Sequence, residues 1–199
     1  MVKVKICGLT RPCDIETVNI EKPDYIGFVF ADSRRKVSPG QAMTLRKGLR
    51  PEITPVGVFV DEAMENIIAL MRNGIIGAVQ LHGSEDEAYI EKLKSRTDKP
   101  IIKAIAVEQK GDLHKWDSTA ADYLLLDNKT GGSGRAFDWA LIGETVKPFF
   151  LAGGLNIENV AEAMHRAKPF AVDVSSGVEA DGTKDSEKII NFIRMVRNA

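Results

Sequence analysis

The chain has 199 residues, with 27 Lys plus Arg against 28 Asp plus Glu, a net charge of −1 and 44% hydrophobic residues. That length suits one full-sized domain, the apolar content excludes disorder, and the balanced charge removes any general attraction for nucleic acid. No apolar run is long enough to span a bilayer, so no membrane partner is expected. The opening MVKVKICGLT carries lysines inside its only apolar stretch, which argues against a secretory signal and for the cytoplasm. Two cysteines, Cys7 and Cys13, make no disulfide framework, and three scattered histidines (His82, His114, His165) make no zinc cluster, so no metal is expected.

In chain order, the first strand signal covers residues 2–6 and runs into Cys7, followed by Gly8, Leu9 and Thr10. A second, at 25–30, is followed by the basic triplet Arg34-Arg35-Lys36. Then Ser38, Pro39 and Gln41 offer an N-cap, a proline at N1 and a capping-box glutamine. A third strand is predicted at 55–60, before a helix whose Met64, Ile67, Ile68 and Met71 repeat at helical spacing. The fourth, at 78–81, ends at His82 and precedes a capping box from Ser84 to Glu87. The fifth lies at 100–107, with a short helical segment near 112–116.

The sixth run, at 123–126, closes on Asp127 and leads into a glycine-rich stretch, 130–135; a second short helical segment follows near 138–143. The seventh, at 149–151, gives way to Ala152-Gly153-Gly154-Leu155, with Asn156 placed as a helix N-cap. Val160, Ala163, Met164 and Ala167 then repeat at helical spacing. The eighth run, at 170–174, contains Asp173 and ends in Ser175-Ser176-Gly177. The last helix is marked by Ile189, Phe192, Ile193 and Val196.

Eight strand–helix units without a linker predict a single-domain, compact (β/α)8 TIM barrel over 1–199. The rival is a doubly wound open sheet, in which ligand contacts gather at one switch point. Polar residues here follow the first, second, fourth, sixth, seventh and eighth runs, and only closure gathers those ends around one pocket.

Several of these residues carry two readings. Cys7 is either a small buried hydrophobe or a reactive thiol at a barrel mouth. Asp127 could cap the next segment, although its place at a strand end favours function. The basic triplet is either a solvated face or the source of one arginine that takes a carboxylate bidentately. His82 either lines the pocket or is structural, and the 130–135 stretch is a surface loop or a lid. The paired glycine and serine loops after the seventh and eighth runs suit a phosphate, because barrels often hold one there.

The motifs Lys5-Ile6-Cys7-Gly8-Leu9-Thr10, Arg34-Arg35-Lys36-Val37-Ser38-Pro39, Gln80-Leu81-His82-Gly83, Leu126-Asp127, Ala152-Gly153-Gly154-Leu155-Asn156 and Asp173-Val174-Ser175-Ser176-Gly177-Val178-Glu179 occur in order along the chain. Together they resemble the phosphoribosylanthranilate isomerase family. The resemblance implies an aldose–ketose isomerase of tryptophan biosynthesis. Such an enzyme performs an Amadori rearrangement of N-(5′-phosphoribosyl)anthranilate to the corresponding 1-deoxyribulose 5-phosphate, without a cofactor.

Carried over by motif, Cys7 is the general base and Asp127 the general acid. Arg35 receives the anthranilate carboxylate, with Arg34 as the alternative because the 31–33 loop is a residue shorter than in some members. Gly154, Ser175 and Ser176, with their neighbours Gly153 and Asp173, match the phosphate site, and His82 joins them as a substrate-binding residue. The implied partner is a small phosphorylated substrate; the oligomeric state is left open.

A base must work as thiolate, so Cys7 is expected to have a depressed pKa and to be alkylated faster than Cys13. Two rivals stand beside this reading. Another sugar-phosphate isomerase using paired carboxylates would want an acid at position 7, and a non-catalytic binding barrel would have no use for Cys7 and Asp127.

Overall fold

The computed structural model describes residues 1–128 and 138–199; the 130–135 stretch expected to be a loop or a lid lies outside the described residues. Eight parallel strands close into a barrel in sequence order: β1 (Lys3–Cys7), β2 (Tyr25–Val29), β3 (Thr54–Phe59), β4 (Ala78–Leu81), β5 (Ile101–Ala106), β6 (Tyr123–Asp127), β7 (Phe149–Leu151) and β8 (Ala171–Val174). Strand β8 pairs back onto β1, with Lys5 opposite Asp173. Each predicted run lies within one residue of its strand at either end.

Period-two alternation sorts the strand residues into two layers. One set, including Val56, Ala78, Ile102, Leu125 and Phe150, fills the barrel interior. Tyr25, Tyr123 and Phe170 pack around Phe150 at the N-terminal end of the strands. The other set, including Ile6, Phe28, Val79 and Leu151, faces outward and packs under the helices. At the C-terminal ends the inward positions turn polar, and Cys7, Gln80, Asp127 and Asp173 stand there.

Among the described residues six α-helices coat the barrel: α1 (Pro12–Glu21), α2 (Pro39–Gly48), α3 (Met64–Arg72), α4 (Glu87–Lys94), α5 (Val160–Ala167) and α6 (Ser186–Asn198). Among the described residues, the connections after β5 and β6 hold the 3-10 turns His114–Trp116 and Trp139–Leu141, in agreement with the short segments expected there.

Three of the expected caps are rearranged. Ser38 does accept the Gln41 N–H at 3.2 Å, but the Gln41 side chain donates to the Thr10 carbonyl instead of closing a box. Helix α4 is capped by Asp86, which accepts from the Tyr89 N–H; Ser84 is drawn off by Asp61, and Glu87 accepts the Ala120 N–H. Asn156 caps the turn ahead of α5, accepting from the Glu158 and Asn159 N–H groups, while the helix itself begins after Asn159. At Gln41 and Ser84 a tertiary partner competes with the local cap and wins.

The segment between β8 and α6 holds elements the sequence reading did not name, a 3-10 turn at Ser176–Val178 among them. After β8, a two-stranded hairpin is formed by β9 (Glu179–Ala180) and β10 (Thr183–Lys184). Its two central residues, Asp181 and Gly182, both have positive φ (49° and 79°), the backbone of a tight two-residue hairpin turn. Register places Lys184 directly opposite Glu179.

Candidate active site

The C-terminal ends of the strands enclose a pocket of about 340 Å³. All nine residues singled out from the sequence line it: Cys7, Arg35, His82, Asp127, Gly153, Gly154, Asp173, Ser175 and Ser176. They arrive from β1, β4, β6, β7, β8 and the loop after β2, as closure of the barrel requires.

Cys7 points inward from the end of β1 and is buried. The facing position on β2 is Gly27, where a Cβ would lie 2.7 Å from the sulfur, so the missing side chain makes room for the thiol. Two residues earlier on the same inward face, the ammonium of Lys5 is fully buried and paired with Asp173 Oδ2 at 2.9 Å. The Asp173 carboxylate holds the Lys5 pKa above its ordinary value against the opposing effect of burial. The second carboxylate oxygen, Asp173 Oδ1, is buried without a hydrogen-bond partner among the described residues, in a side chain that lines the pocket.

The expected depression of the Cys7 pKa is not found. Burial pushes the thiol up, and the opposing pull of Lys5 and Lys184 does not overcome it. Position at a strand end gave no measure of how deeply the sulfur would be desolvated.

Asp127 enters from β6 on the far side of the barrel. Its Oδ1 accepts the Asn128 N–H at 2.7 Å, and its Oδ2 faces His82 Nε2 at 3.6 Å. The other ring nitrogen of His82 lies 2.8 Å from Gln80 Nε2, which steadies the ring.

The pocket lining is polar at two ends, one on the loops after β7 and β8 and one on the loop after β2. At one, Gly153 and Gly154 take positive φ values of 79° and 69°, which turns the chain sharply after β7. Ser175 and Ser176 approach from β8. The two loops touch backbone to backbone, since a Cβ at Gly177 would lie 2.0 Å from the Leu155 carbonyl oxygen. At the other end Arg35 lies across Gly8, which has φ of 82° and where a Cβ would meet Arg35 Cδ at 2.5 Å.

Arg35 is 17% exposed and Arg34 57%, so Arg35 faces the pocket and Arg34 the solvent. Both bind the Glu179 carboxylate. Burial alone would raise the Glu179 pKa, but hydrogen bonds from Arg35 and Lys184, and their charges, bring it down to about 2.

An inward thiol and an inward carboxyl on well-separated strands, between a glycine–serine cradle and an arginine, fit an acid–base enzyme acting on a doubly anionic substrate. Residues 4–195 match the family described as N-(5′-phosphoribosyl)anthranilate (PRA) isomerase. The chain belongs to that family. It is 48% identical over 202 residues to N-(5′-phosphoribosyl)anthranilate isomerase of Endomicrobium trichonymphae, covering 100% of both chains. It also superimposes on phosphoribosyl anthranilate isomerase of Thermotoga maritima with a TM-score of 0.90, 40% identity and 100% of both chains covered. A further phosphoribosyl anthranilate isomerase structure, in complex with reduced 1-(o-carboxyphenylamino)-1-deoxyribulose 5-phosphate, matches with a TM-score of 0.85, 36% identity and 100% of both chains.

For a phosphoribosylanthranilate isomerase, the sequence reading overlooked four polar residues around the pocket: Lys5, Gln80, Glu179 and Lys184. Lys5 carried a readable signal, being a lysine between Val4 and Ile6 in mid-strand, two residues before Cys7 on the same face. Lys184 carried another, because the Asp181-Gly182 pair before it is a hairpin signature. Among the described residues no group of three or more His, Cys, Asp and Glu side chains could hold a metal ion, and no helix is long and apolar enough to cross a membrane.

Proposed function

We propose that this chain converts N-(5′-phosphoribosyl)anthranilate to 1-(o-carboxyphenylamino)-1-deoxyribulose 5-phosphate, with Asp127 as general acid and Cys7 as general base. The observation that carries the assignment of roles is that Cys7 and Asp127 enter one pocket from β1 and β6, with Gly153, Gly154, Ser175 and Ser176 and with Arg35 also lining it. The substrate has a phosphate at one end and a carboxylate at the other. With phosphate in the Gly153–Gly154 and Ser175–Ser176 cradle and carboxylate on Arg35, the ribose is stretched between acid and base.

Asp127 donates its proton to the furanose ring oxygen as the C1′–O bond breaks, and the anthranilate nitrogen lone pair closes a C1′=N iminium. Its fixed oxygen, Oδ1, is held by the Asn128 N–H, so Oδ2 is the oxygen that faces the substrate and His82. Cys7 then takes the C2′ proton, and the electron pair left behind neutralises the iminium as a C1′=C2′ enaminol. Loss of the 2′-hydroxyl proton and gain of one at C1′ give the ketone. Atoms and electrons balance without an oxidant or reductant.

Burial of Cys7 opposes its thiolate, while Lys5 and Lys184 favour it, and the iminium adds a positive charge beside it when the thiolate is needed. Freshly prepared N-(5′-phosphoribosyl)anthranilate, followed by loss of its fluorescence, tests the reading. Turnover that disappears in Cys7→Ser and Asp127→Asn supports it, and no turnover by the unaltered protein overturns it.

A further inference from the structure

The hairpin after β8 carries a buried lysine that the reaction above uses only as a distant charge. Lys184 is 2% exposed, and its ammonium donates to the Ser175 carbonyl at 3.0 Å, to Ser175 Oγ at 3.3 Å and to Glu179 Oε1 at 2.5 Å. An ammonium has three N–H donors, so these partners use them all and leave none for a ligand. Lys184 is therefore no substrate contact.

Nor is it needed to neutralise Glu179. Arg35 already grips that carboxylate through Nε at 2.6 Å and Nη2 at 3.0 Å, and Arg34 binds it from outside. A third cation has been desolvated beside two others, and burial lowers its pKa. What the ammonium alone does is join two ends of the pocket. Through Glu179 it reaches Arg35, whose Nε–Nη2 edge is occupied and whose Nη1, among the described residues, has no hydrogen-bond partner. Through Ser175 it reaches the β8 loop, and Ser175 Oγ in turn donates to the Cys7 carbonyl at 3.1 Å.

We propose that Lys184 is a positioning residue that holds the carboxylate end and the phosphate end of the site at a fixed separation. The proposal rests on the reading of Arg35 and the Ser175 loop as the two anchors. The hairpin exists on this view to deliver one ammonium: its tight turn sets Lys184 opposite Glu179, and Arg11 binds the Lys184 carbonyl and ties the hairpin to the start of α1.

Linking two anchors multiplies affinity only when both can engage at once, a gain of roughly 10²–10⁴ that is lost when the spacing is wrong. The test compares the reduced product analogue, which spans both ends, with two fragments, anthranilate and ribose 5-phosphate, as competitive inhibitors. In Lys184→Met, affinity for the whole analogue is expected to fall about 10-fold or more, part of that linkage gain, while each fragment binds within about 2-fold of wild type. Turnover should fall in kcat as well as rise in KM, because misregistered ends carry C1′ and C2′ away from Asp127 and Cys7.

Lys184→Arg, which keeps the charge and several donors, should recover part of the loss. Should Lys184→Met not fold, Glu179→Gln, which keeps an acceptor but removes the charge, should give the same split between whole analogue and fragments. Equal weakening of fragments and whole analogue would make Lys184 a direct or general structural contact, and no change in either would make it packing; both overturn the proposal. Failure of the unaltered protein to turn over substrate and to bind the analogue would instead overturn the functional reading, so the two failures are distinguishable.

Discussion

His82 and Asp127 face one another at the barrel mouth, with His82 Nε2 3.6 Å from Asp127 Oδ2 and the rest of each side chain already held. Gln80 fixes the opposite ring nitrogen, and the Asn128 N–H fixes the other carboxyl oxygen. One carboxyl oxygen is thus left to meet a substrate, with an imidazole positioned to orient it.

Asp127→Asn should therefore lower kcat by about 10²–10⁴-fold, the contribution of a positioned general acid, with little change in affinity for the reduced product analogue. His82→Gln should cost far less, because it orients the acid without replacing it. Steady-state kinetics and inhibitor titration on both variants measure this. Near-normal turnover in Asp127→Asn would leave Asp127 as a structural cap.

Cys7 offers a test of electrostatics apart from turnover. Since burial raises its pKa above the ordinary 9.0, the free protein holds it as the thiol at neutral pH. Iodoacetamide reacts with the thiolate, so alkylation of Cys7 should accelerate with pH, with a midpoint above 9.0, and at pH 7 should lag behind the exposed Cys13. Lys5→Met should move the midpoint further up, and a phosphorylated product analogue should protect Cys7 alone. Peptide mass spectrometry across a pH series reads all three. Faster labelling of Cys7 than of Cys13 at pH 7 would show that Lys5 and Lys184 outweigh burial.

Much of this site was legible in the sequence for a simple reason. A closed parallel barrel places every strand's C-terminal end at one mouth, so polar residues at the ends of apolar runs, such as Asp127 and Asp173, can be assigned to one pocket without knowing any distance. Local capping was less legible. Ser84 and Gln41 had suitable types at suitable spacings, but Asp61 and the Thr10 carbonyl, 23 and 31 residues away along the chain, took their hydrogen bonds.

The Glu179 cluster was hidden for a related reason. Arg35 and Glu179 are 144 residues apart, and nothing in either segment names the other. The thiol's desolvation was out of reach too, because it depends on Gly27 and on the depth of the pocket, which no single strand displays.

The Glu179 cluster makes acid stability a further test. Its pKa falls from the ordinary 4.5 to about 2: burial opposes this, but hydrogen bonds and charge from Arg35 and Lys184 prevail. With the folded value below the unfolded one, its stabilisation is complete above about pH 4.5 and is lost as pH falls towards 2. Urea unfolding of the wild type should weaken through that window, and Glu179→Gln should be less stable at neutral pH yet show a shallower decline in acid. Parallel curves for the two proteins would mean that the cluster does not contribute through its charge.

The phosphate end depends on backbone shape more than on charge. Gly154 has φ of 69°, a conformation that a β-branched side chain adopts only with strain, and it lines the pocket beside Ser175 and Ser176. Inorganic phosphate should compete with substrate in the wild type, and Gly154→Val should abolish that competition by closing the approach to the backbone N–H groups. Because strain at one such residue costs about 1–3 kcal/mol, the variant should stay folded while losing the site. Melting curves with and without phosphate separate the two effects: wild type should gain stability with added phosphate, and Gly154→Val should melt lower and gain none. A Gly154→Val protein still stabilised by phosphate would place the anion away from the β7 and β8 loops, and the assignment of Ser175 and Ser176 to the substrate's phosphate would fall with it.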